Sequence, residues 1–220
     1  MSETKRGYVD LLKIPNLVTM FRVLLAFAFF LFIHFASSTG EHRLWYLIAL
    51  GTFLLAAATD WLDGFLARKY DMETAFGRIA DPFVDKLLVC GAFILFAFYH
   101  LKGNPYLRSV EDAAGTQKYF VNVAIWMVIV IVGREFLISA LRGYAESRNI
   151  KFGANVWGKQ KMIFQSAAIC AILLHQAALN YHIGFAIGTT ILLWLAVGWT
   201  LLSGILYIQR AARVLSNGPA

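Results

Sequence analysis

The chain has 220 residues, of which 59% are hydrophobic and only 15% are charged. That balance is unusual for a soluble domain and indicates a membrane protein. A net charge of +7 could fit nucleic acid. In a membrane protein, however, it more often reflects cytoplasmic loops and anionic lipid, so we expect no nucleic-acid partner. No linker-like change of composition divides the sequence, which predicts a single transmembrane domain over residues 1–220.

The N-terminal segment is charged and amphipathic. Leu11 and Leu12 stand beside Asp10, a pattern that predicts a short helix lying in the membrane interface over residues 1–15 and stopped by Pro15. An irregular juxtamembrane tail is the alternative. Because the segment lacks a small-residue cleavage end, we expect the apolar run after it to be a retained helix and not a signal peptide.

Six apolar stretches follow, and each is long enough to cross a membrane, which takes about 20 residues as a helix. They predict an all-α protein with a bundle of six transmembrane helices over about residues 17–208. Cys90 and Cys170 fall inside two of these stretches without metal-ligand spacing, so we expect packed thiols and no disulfide. The approximate bounds of the spans are 17–36, 44–68, 80–101, 119–145, 157–179 and 183–208.

The basic residues indicate the orientation of these spans. With an even number of spans, both termini lie on one side, and that side collects most of the Lys and Arg residues. The positive-inside rule then places both termini in the cytoplasm, together with the acidic stretch described next. We expect a multi-pass protein of a bacterial cytoplasmic membrane, with a mitochondrial inner membrane as the alternative. The cytoplasmic set is Lys5, Arg6, Lys13, Arg68, Lys69, Arg78, Lys86, Arg142, Arg148, Lys151, Lys159, Lys161, Arg210 and Arg213; the other side has Arg43, Lys102, Arg108 and Lys118.

Four aspartates lie near the cytoplasmic ends of the second and third spans. At about 100° per residue, Asp60, Asp63, Gly64 and Ala67 share one face of span two, with Arg68 at the edge of that face. This span therefore presents two carboxylates and two small residues on the same side.

The third span has a similar pattern. Asp81 and Asp85 are four residues apart, and Gly77 precedes Asp81 by four. Pro82 allows either a kink or a helix start near Asp81. Because the connection between spans two and three is short, two antiparallel helices could point their acidic faces at each other.

Carboxylates that converge in a low-dielectric setting repel one another unless they are protonated or neutralised by cations. Oxygen ligands suit Mg²⁺, Mn²⁺ or Ca²⁺, and two such ions about 4 Å apart can act on both sides of a displacement at phosphorus. Gly64, Ala67 and Gly77 would let a bulky ligand approach the backbone, and Arg68 would neutralise phosphate. Interfacial ion pairs with neighbouring basic residues are the alternative.

These residues resemble the CDP-alcohol phosphotransferases, whose signature is D-x-x-D-G-x-x-A-R followed by G-x-x-x-D-x-x-x-D. All of its fixed positions are present, as Asp60, Asp63, Gly64, Ala67, Arg68, Gly77, Asp81 and Asp85. The resemblance implies a six-helix membrane enzyme, usually a homodimer, with two divalent ions, for which we expect Mg²⁺ with Mn²⁺ as a substitute. It also implies transfer of a phosphatidyl-type group from a CDP-linked donor to an alcohol, with release of CMP.

Residue by residue, the resemblance implies that Asp60, Asp63 and Asp81 are metal ligands and that Asp85 is both a ligand and the general base. A metal-bound carboxylate is an ordinary acceptor for an alcohol proton. The residues implied to line the CDP site are Asp60, Gly64, Ala67, Arg68 and Gly77.

Three further segments, IPNLVTMFR, GREFLISALRGYAESR and GKQKMIFQ, resemble the bacterial phosphatidylglycerophosphate synthases. That branch of the family joins CDP-diacylglycerol to sn-glycerol 3-phosphate. With these segments the resemblance covers nearly the full chain. The usual Thr after the second Lys of the last segment is Met162 here, so no hydroxyl is available at that position.

An acceptor that carries phosphate needs compensating positive charge. Basic residues cluster toward the cytoplasmic side of spans four and five, and Arg134 lies deepest, in an apolar run where an unpaired charge would be costly. Glu135 points about 100° away from Arg134 and need not be its partner. We expect an acceptor-phosphate pocket made of Arg134, Arg142, Lys159 and Lys161, with a belt that binds lipid headgroups as the alternative.

Asn16, Thr19 and Arg22 share one broad face at the start of the first span. We interpret them as possible substrate contacts, with snorkelling of Arg22 to the headgroups as the alternative.

The resulting hypothesis is that Asp85 takes a proton from the sn-1 hydroxyl of glycerol 3-phosphate and that the oxygen attacks the lipid-linked phosphorus of CDP-diacylglycerol. Other acceptors within the family are open: phosphatidylglycerol (a cardiolipin synthase), inositol phosphate (a phosphatidylinositol-phosphate synthase) or serine. A divalent-cation transporter is the alternative from another class, although its acids should be spread through the bilayer.

Overall fold

The computed structural model describes residues 14–38, 42–70, 75–100, 108–111, 117–148, 156–179 and 182–216. Only the backbone is described at residues 14–17, 61–70, 75–82, 85, 100, 108–111, 117–120, 146, 156–157, 159, 179 and 214–216. Residues 1–13 of the predicted interfacial helix lie outside the described residues. The first described helix begins at Ile14, so Pro15 stands in its first turn, where a missing N–H costs no helical hydrogen bond.

Six long helices are described, and each overlaps one predicted span. The fifth continues as a single π-helical turn over His175–Leu179. In chain order the helices are α1 (Ile14–Ser38), α2 (His42–Tyr70), α3 (Ala75–His100), α4 (Ile125–Ser147), α5 (Val156–Leu174) and α6 (Ile183–Ser216).

A short β-hairpin precedes α4, and the all-α prediction missed it. Strands β1 (Arg108–Glu111) and β2 (Gln117–Phe120) pair antiparallel, with Val110 opposite Lys118. The fourth span was predicted to begin at about residue 119, but α4 begins only at Ile125. The correction has a local cause, since Val110, Tyr119 and Phe120 are residue types that favour strands.

Four of the helices, over the described residues, contain stretches long and apolar enough to cross a membrane, so the chain is an integral membrane protein. The stretches are Val18–Ser38, His42–Asp60, Gln160–Ala178 and Ile183–Arg213. In α3 the apolar stretch is the shorter Lys86–Tyr99, and α4 carries Arg134, Glu135 and Arg142 within its length. Six crossings therefore remain a prediction.

Helix α3 begins at Ala75 and continues through Pro82. The possibility of a helix start near Asp81 was therefore wrong. Pro82 is the eighth residue of this helix, so it removes one N–H···O=C bond, and the backbone is helical on both sides of it.

The chain splits into two compact units, residues 1–95 and 96–220, and the single domain stays a prediction. In the first unit, α1 and α2 form an antiparallel pair whose buried residues recur at alternating spacings of three and four, as in a coiled coil. Phe29 and Phe53 meet at its centre, with ring centroids 5.7 Å apart. The buried positions are Thr19, Arg22, Ala26, Phe29, Ile33 and Ala36 on α1, and Ala49, Phe53 and Ala56 on α2.

In the second unit, α4 and α5 both pack against α6. Apolar side chains such as Ile131, Ile169 and Leu193 fill this interior, and Phe164 of α5 contacts Trp199 of α6 with ring centroids 5.1 Å apart. Large apolar residues such as Ile191 also cover the outer faces, as expected where lipid is the solvent.

Candidate active site

Asp60, the first aspartate of the motif, forms an ion pair with Arg22 of α1. Its Oδ1 accepts a hydrogen bond from Nη1 of Arg22 at 2.7 Å. The arginine side chain is 3% exposed, whereas that of the aspartate is 37% exposed. A charged side chain inside a spanning helix is costly unless it is paired, so the burial of Arg22 calls for a partner of this kind. Arg22 therefore points into the helix pair and does not snorkel to the headgroups.

The packing register of α1 and α2 explains this pair. Arg22 lies one heptad before Phe29, and Asp60 lies one heptad after Phe53. Because the helices are antiparallel and the two phenylalanines are in contact, one step of about 10 Å along both axes brings Arg22 opposite Asp60. The site residue is thus positioned by the apolar core beneath it.

The other residues of the motif are placed by backbone alone. Asp63, Gly64, Ala67 and Arg68 follow Asp60 on the continuous helix α2. Gly77, Asp81 and Asp85 all fall on α3. Their side chains lie outside the described set, so convergence of the four carboxylates stays a prediction.

The chemistry of Asp60 and Asp63 suits a divalent cation. The Asp60 carboxylate supplies hard oxygen atoms and keeps more than a third of its side chain exposed, which leaves it accessible to a ligand. Asp63 follows one helical turn later on α2, the spacing at which two carboxylates can reach one site. Among the described side chains no group of three or more His, Cys, Asp or Glu lies close enough to hold a metal, and of the motif only Asp60 is in that set.

A second polar cluster lies within the second unit and contains two of the predicted acceptor-phosphate residues. Lys161 of α5 donates to Oε1 of Glu135 on α4, and Nη1 of Arg134 donates to the same oxygen at 3.3 Å. All three side chains are nearly buried, at 12% exposure for Arg134, 7% for Glu135 and 10% for Lys161. Two predicted phosphate-binding groups from different helices therefore meet at one carboxylate.

Helix α6 closes this cluster from a third side. Nη2 of Arg134 donates to Oγ of Ser203 at 3.1 Å, and Nε of Arg134 is buried with no acceptor among the described residues. A Cβ at Gly204 would lie 3.2 Å from Cγ of Arg134, so the arginine stem passes close to the α6 backbone. A buried guanidinium with a donor to spare is a group that an anionic oxygen can bind.

A neighbouring layer of polar groups stabilises the α5–α6 contact. Nε2 of Gln165 donates to Oγ1 of Thr200 at 2.9 Å, and Ser203 donates back to the backbone oxygen of Thr200 at 3.0 Å. Thr200 in turn donates to the backbone oxygen of Ala196 at 2.6 Å. These internal bonds satisfy polar groups that lipid could not.

The remaining predicted residues are distributed as follows. Arg142 is exposed and makes no ion pair in the described part of the chain, and the side chain of Lys159 lies outside that part. Thr19 is buried on the same face as Arg22, so this face of α1 turns inward. The substrate contacts predicted for these two residues stay predictions. The side chain of Asn16 lies outside the described residues, so its substrate contact stays a prediction.

Sequence reasoning missed Glu135 and Ser203 as partners of Arg134. The 100° offset of Glu135 on the helix is bridged by the long arginine side chain, whose guanidinium reaches the neighbouring carboxylate. One signal was available, since an acid inside an apolar run needs a partner, and a basic residue on a neighbouring span could supply it. Ser203 carries no such signal, because its role depends on how α6 packs against α4.

Comparison with known proteins agrees with the motif. The family model for CDP-alcohol phosphatidyltransferases matches residues 12–202. A protein of Pseudomonas fluorescens named CDP-diacylglycerol–glycerol-3-phosphate 3-phosphatidyltransferase is 34% identical over 91% of this chain and 90% of its own length. A protein of the same name from Bacillus subtilis (strain 168) is also 34% identical, over 72% of this chain and 70% of its own length.

A relative from rice carries a different name. This protein of Oryza sativa subsp. japonica, a cardiolipin synthase (CMP-forming), is 31% identical over 75% of this chain and 48% of its own length. The family match spans well over half of the sequence, including the whole aspartate motif. The chain belongs to the CDP-alcohol phosphatidyltransferase family.

Proposed function

We propose that this protein transfers the phosphatidyl group of CDP-diacylglycerol to sn-glycerol 3-phosphate, giving phosphatidylglycerophosphate and CMP. The choice of acceptor rests on one observation: Arg134 and Lys161 both donate hydrogen bonds to the carboxylate of Glu135. These are two cationic donors from different helices, nearly buried, with a spare Nε on the arginine. The names of the two bacterial relatives support the same acceptor.

The aspartate motif handles the donor in this proposal. Asp60, Asp63, Asp81 and Asp85 would hold two Mg²⁺ ions, which supply charge neutralisation for the pyrophosphate and its leaving group. Gly64, Ala67, Arg68 and Gly77 would line the CDP site.

The reaction is a displacement at phosphorus. Asp85 accepts the proton of the sn-1 hydroxyl of glycerol 3-phosphate, and the freed oxygen forms a bond to the lipid-linked phosphorus of CDP-diacylglycerol. The bond from that phosphorus to the oxygen of the cytidine phosphate breaks, and CMP leaves with the electron pair. Arg134 and Lys161 bind the acceptor phosphate through charge-assisted hydrogen bonds.

The direct test is product analysis. Purified protein with Mg²⁺, CDP-diacylglycerol and radiolabelled glycerol 3-phosphate should yield one labelled lipid by thin-layer chromatography, and CMP should appear only when both substrates are present. Asp85→Asn should abolish both products, while Asp112→Asn, outside the motif, should leave them unchanged. Full CMP release by Asp85→Asn would remove Asp85 from the base role.

A second acceptor, phosphatidylglycerol, is kept because of the rice relative named a cardiolipin synthase. The two acceptors differ in where the phosphate sits, since phosphatidylglycerol has only a diester phosphate and glycerol 3-phosphate has a free monoester. An acceptor screen decides between them. A preference for phosphatidylglycerol, or for unphosphorylated inositol or serine, would contradict the role given to the Arg134 cluster.

The proposal includes a bacterial cytoplasmic membrane, with both termini and the active site on the cytoplasmic face, and a homodimer. The support for the orientation is the distribution of Lys and Arg. Cysteine labelling at introduced sites near residues 5 and 104 tests it, since only the second should react with an impermeant reagent in intact cells. Cross-linking of the purified protein in lipid tests the dimer.

A further inference from the structure

Arg22 is the more deeply buried member of its ion pair. Its side chain is 3% exposed, while its partner Asp60 remains 37% exposed. The arginine therefore belongs to the interior of the α1–α2 pair, and the carboxylate lies at the edge of that interior. Because Arg22 is held by the surrounding side chains and Asp60 is partly exposed, the arginine sets the orientation of the carboxylate.

The surroundings of Arg22 restrict its movement. It occupies the buried face of α1 between Thr19 and Ala26, and the register that places it opposite Asp60 is set by Phe29 against Phe53. The planar guanidinium donates along a defined direction, which a flexible ammonium would not. Oδ1 of Asp60 is thus held at one position relative to α1.

We propose that Arg22 is a positioning residue that orients the Asp60 carboxylate for binding of a divalent cation. The inference rests on the proposed function, in which Asp60 is a metal ligand. Hydrogen-bonded partners of ligating side chains fix ligand geometry, and their removal commonly costs about 10- to 100-fold in metal affinity. Arg22 acts through Asp60 and needs no contact with substrate to do so.

Two other roles for Arg22 make different predictions. If it served only to neutralise Asp60, removing its charge would strengthen cation binding, because a positive group beside a ligand repels the metal. If it served only to join α1 to α2, its loss would lower thermal stability without a specific effect on cation affinity. The sign of the change in affinity therefore separates the three roles.

The experiment compares Arg22→Met with Arg22→Lys in the full-length protein in detergent. Methionine keeps an unbranched apolar stem and removes the donor, while lysine keeps the charge and loses the planar donor. Arg43→Met, at an exposed position on α2, is the matched control for removing a positive charge. Mn²⁺ affinity is measured by electron paramagnetic resonance without substrate, and thermal unfolding is followed on the same samples.

Arg22→Met should weaken Mn²⁺ binding by about 10- to 100-fold, Arg22→Lys should weaken it less, and Arg43→Met should leave it unchanged. Unchanged or tighter binding in a folded Arg22→Met protein would overturn the inference. Should Arg22→Met fail to fold, the Arg22→Lys protein decides, and wild-type affinity there would equally overturn it. Asp60→Asn tests the metal role of Asp60 separately from the positioning role of Arg22. If the Asp60→Asn protein binds Mn²⁺ normally, Asp60 is not a metal ligand, and that part of the proposed function fails.

Discussion

Glu135 on α4 and Lys161 on α5 form an ion pair inside the second unit, and Arg134 binds the same carboxylate oxygen. One acid thus binds two of the four basic residues that were predicted to form the acceptor-phosphate pocket. Its position decides where both of them lie.

Removing either member of this pair should destabilise the protein. Breaking a buried ion pair by deleting one partner costs about 3–5 kcal/mol where the remaining charge loses its compensation. This applies most to Glu135, whose loss leaves two cations without their shared carboxylate, and less to Lys161, since Arg134 still binds Glu135. Glu135→Gln and Lys161→Met should each lower the thermal unfolding temperature, and the double variant should lose less than the sum of the two. Strictly additive losses, measured by tryptophan fluorescence in detergent, would contradict the coupling.

Loss of a phosphate-binding side chain should weaken the binding of glycerol 3-phosphate and leave that of CDP-diacylglycerol unchanged. Lys161→Met and Arg134→Gln should raise KM for glycerol 3-phosphate about tenfold or more, because a hydrogen bond to a charged group contributes about 1.5–3 kcal/mol. KM for CDP-diacylglycerol should change little. Arg148→Gln is the control, since Arg148 is exposed and lies over the ring of Tyr144 at 5.5 Å. Equal increases in both KM values would show that the cluster does not recognise the acceptor.

Gly204 should be sensitive to added volume because of Arg134. A Cβ there would lie 3.2 Å from Cγ of Arg134, whereas at Gly198 on the same helix nothing lies within 4 Å. Gly204→Ala should raise KM for glycerol 3-phosphate a few-fold by displacing the arginine, and Gly204→Val should do so more strongly. Gly198→Ala should match the wild type in steady-state assays. If the two alanine variants behaved alike, Gly204 would not be setting the position of Arg134.

Gly91 allows α3 to approach α1 in the first unit. A Cβ at this position would clash with Cζ of Phe30, and Phe30 is itself packed against Phe29 with ring centroids 5.7 Å apart. Gly91→Ala should therefore cost about 1–3 kcal/mol of stability through overpacking. Gly51→Ala, with no atom within 4 Å of its Cβ, is the matched control.

A second substitution, at Phe30, tests whether its ring is the reason that Gly91→Ala destabilises the protein. Phe30→Leu should be less harmful in the Gly91→Ala background than in the wild type, because the smaller side chain removes the clash. If Phe30→Leu were equally harmful in both backgrounds, the ring would not be the source of the strain.

Removal of divalent cations should abolish turnover. Phosphoryl-type transfer depends on neutralising the charge of the pyrophosphate, and the carboxylates of the motif cannot do this without cations. EDTA should stop CMP release, and excess Mg²⁺ or Mn²⁺ should restore it. Persistent CMP release in EDTA after exhaustive dialysis would rule out the metal-dependent chemistry.

The helices and the identity of the motif could be predicted from the sequence because both are local properties. A run of about 20 apolar residues is recognised without knowing its neighbours, and the α-helical period places Asp60 and Asp63 on one face by spacing alone. The hairpin before α4 was missed since its strands are four residues each, too short for a hydropathy signal against the apolar background.

What the sequence by itself determined was therefore the set of long apolar helices and the eight-position motif that identifies the family. Only the tertiary structure decided which of them meet. Arg134 and Ser203 are 69 positions apart, and Glu135 and Lys161 are 26 apart. Such pairs depend on the packing register between helices, as the contact of Phe29 with Phe53 sets the pairing of Arg22 with Asp60. Register arises from the fit of many side chains at once, and no single segment contains it.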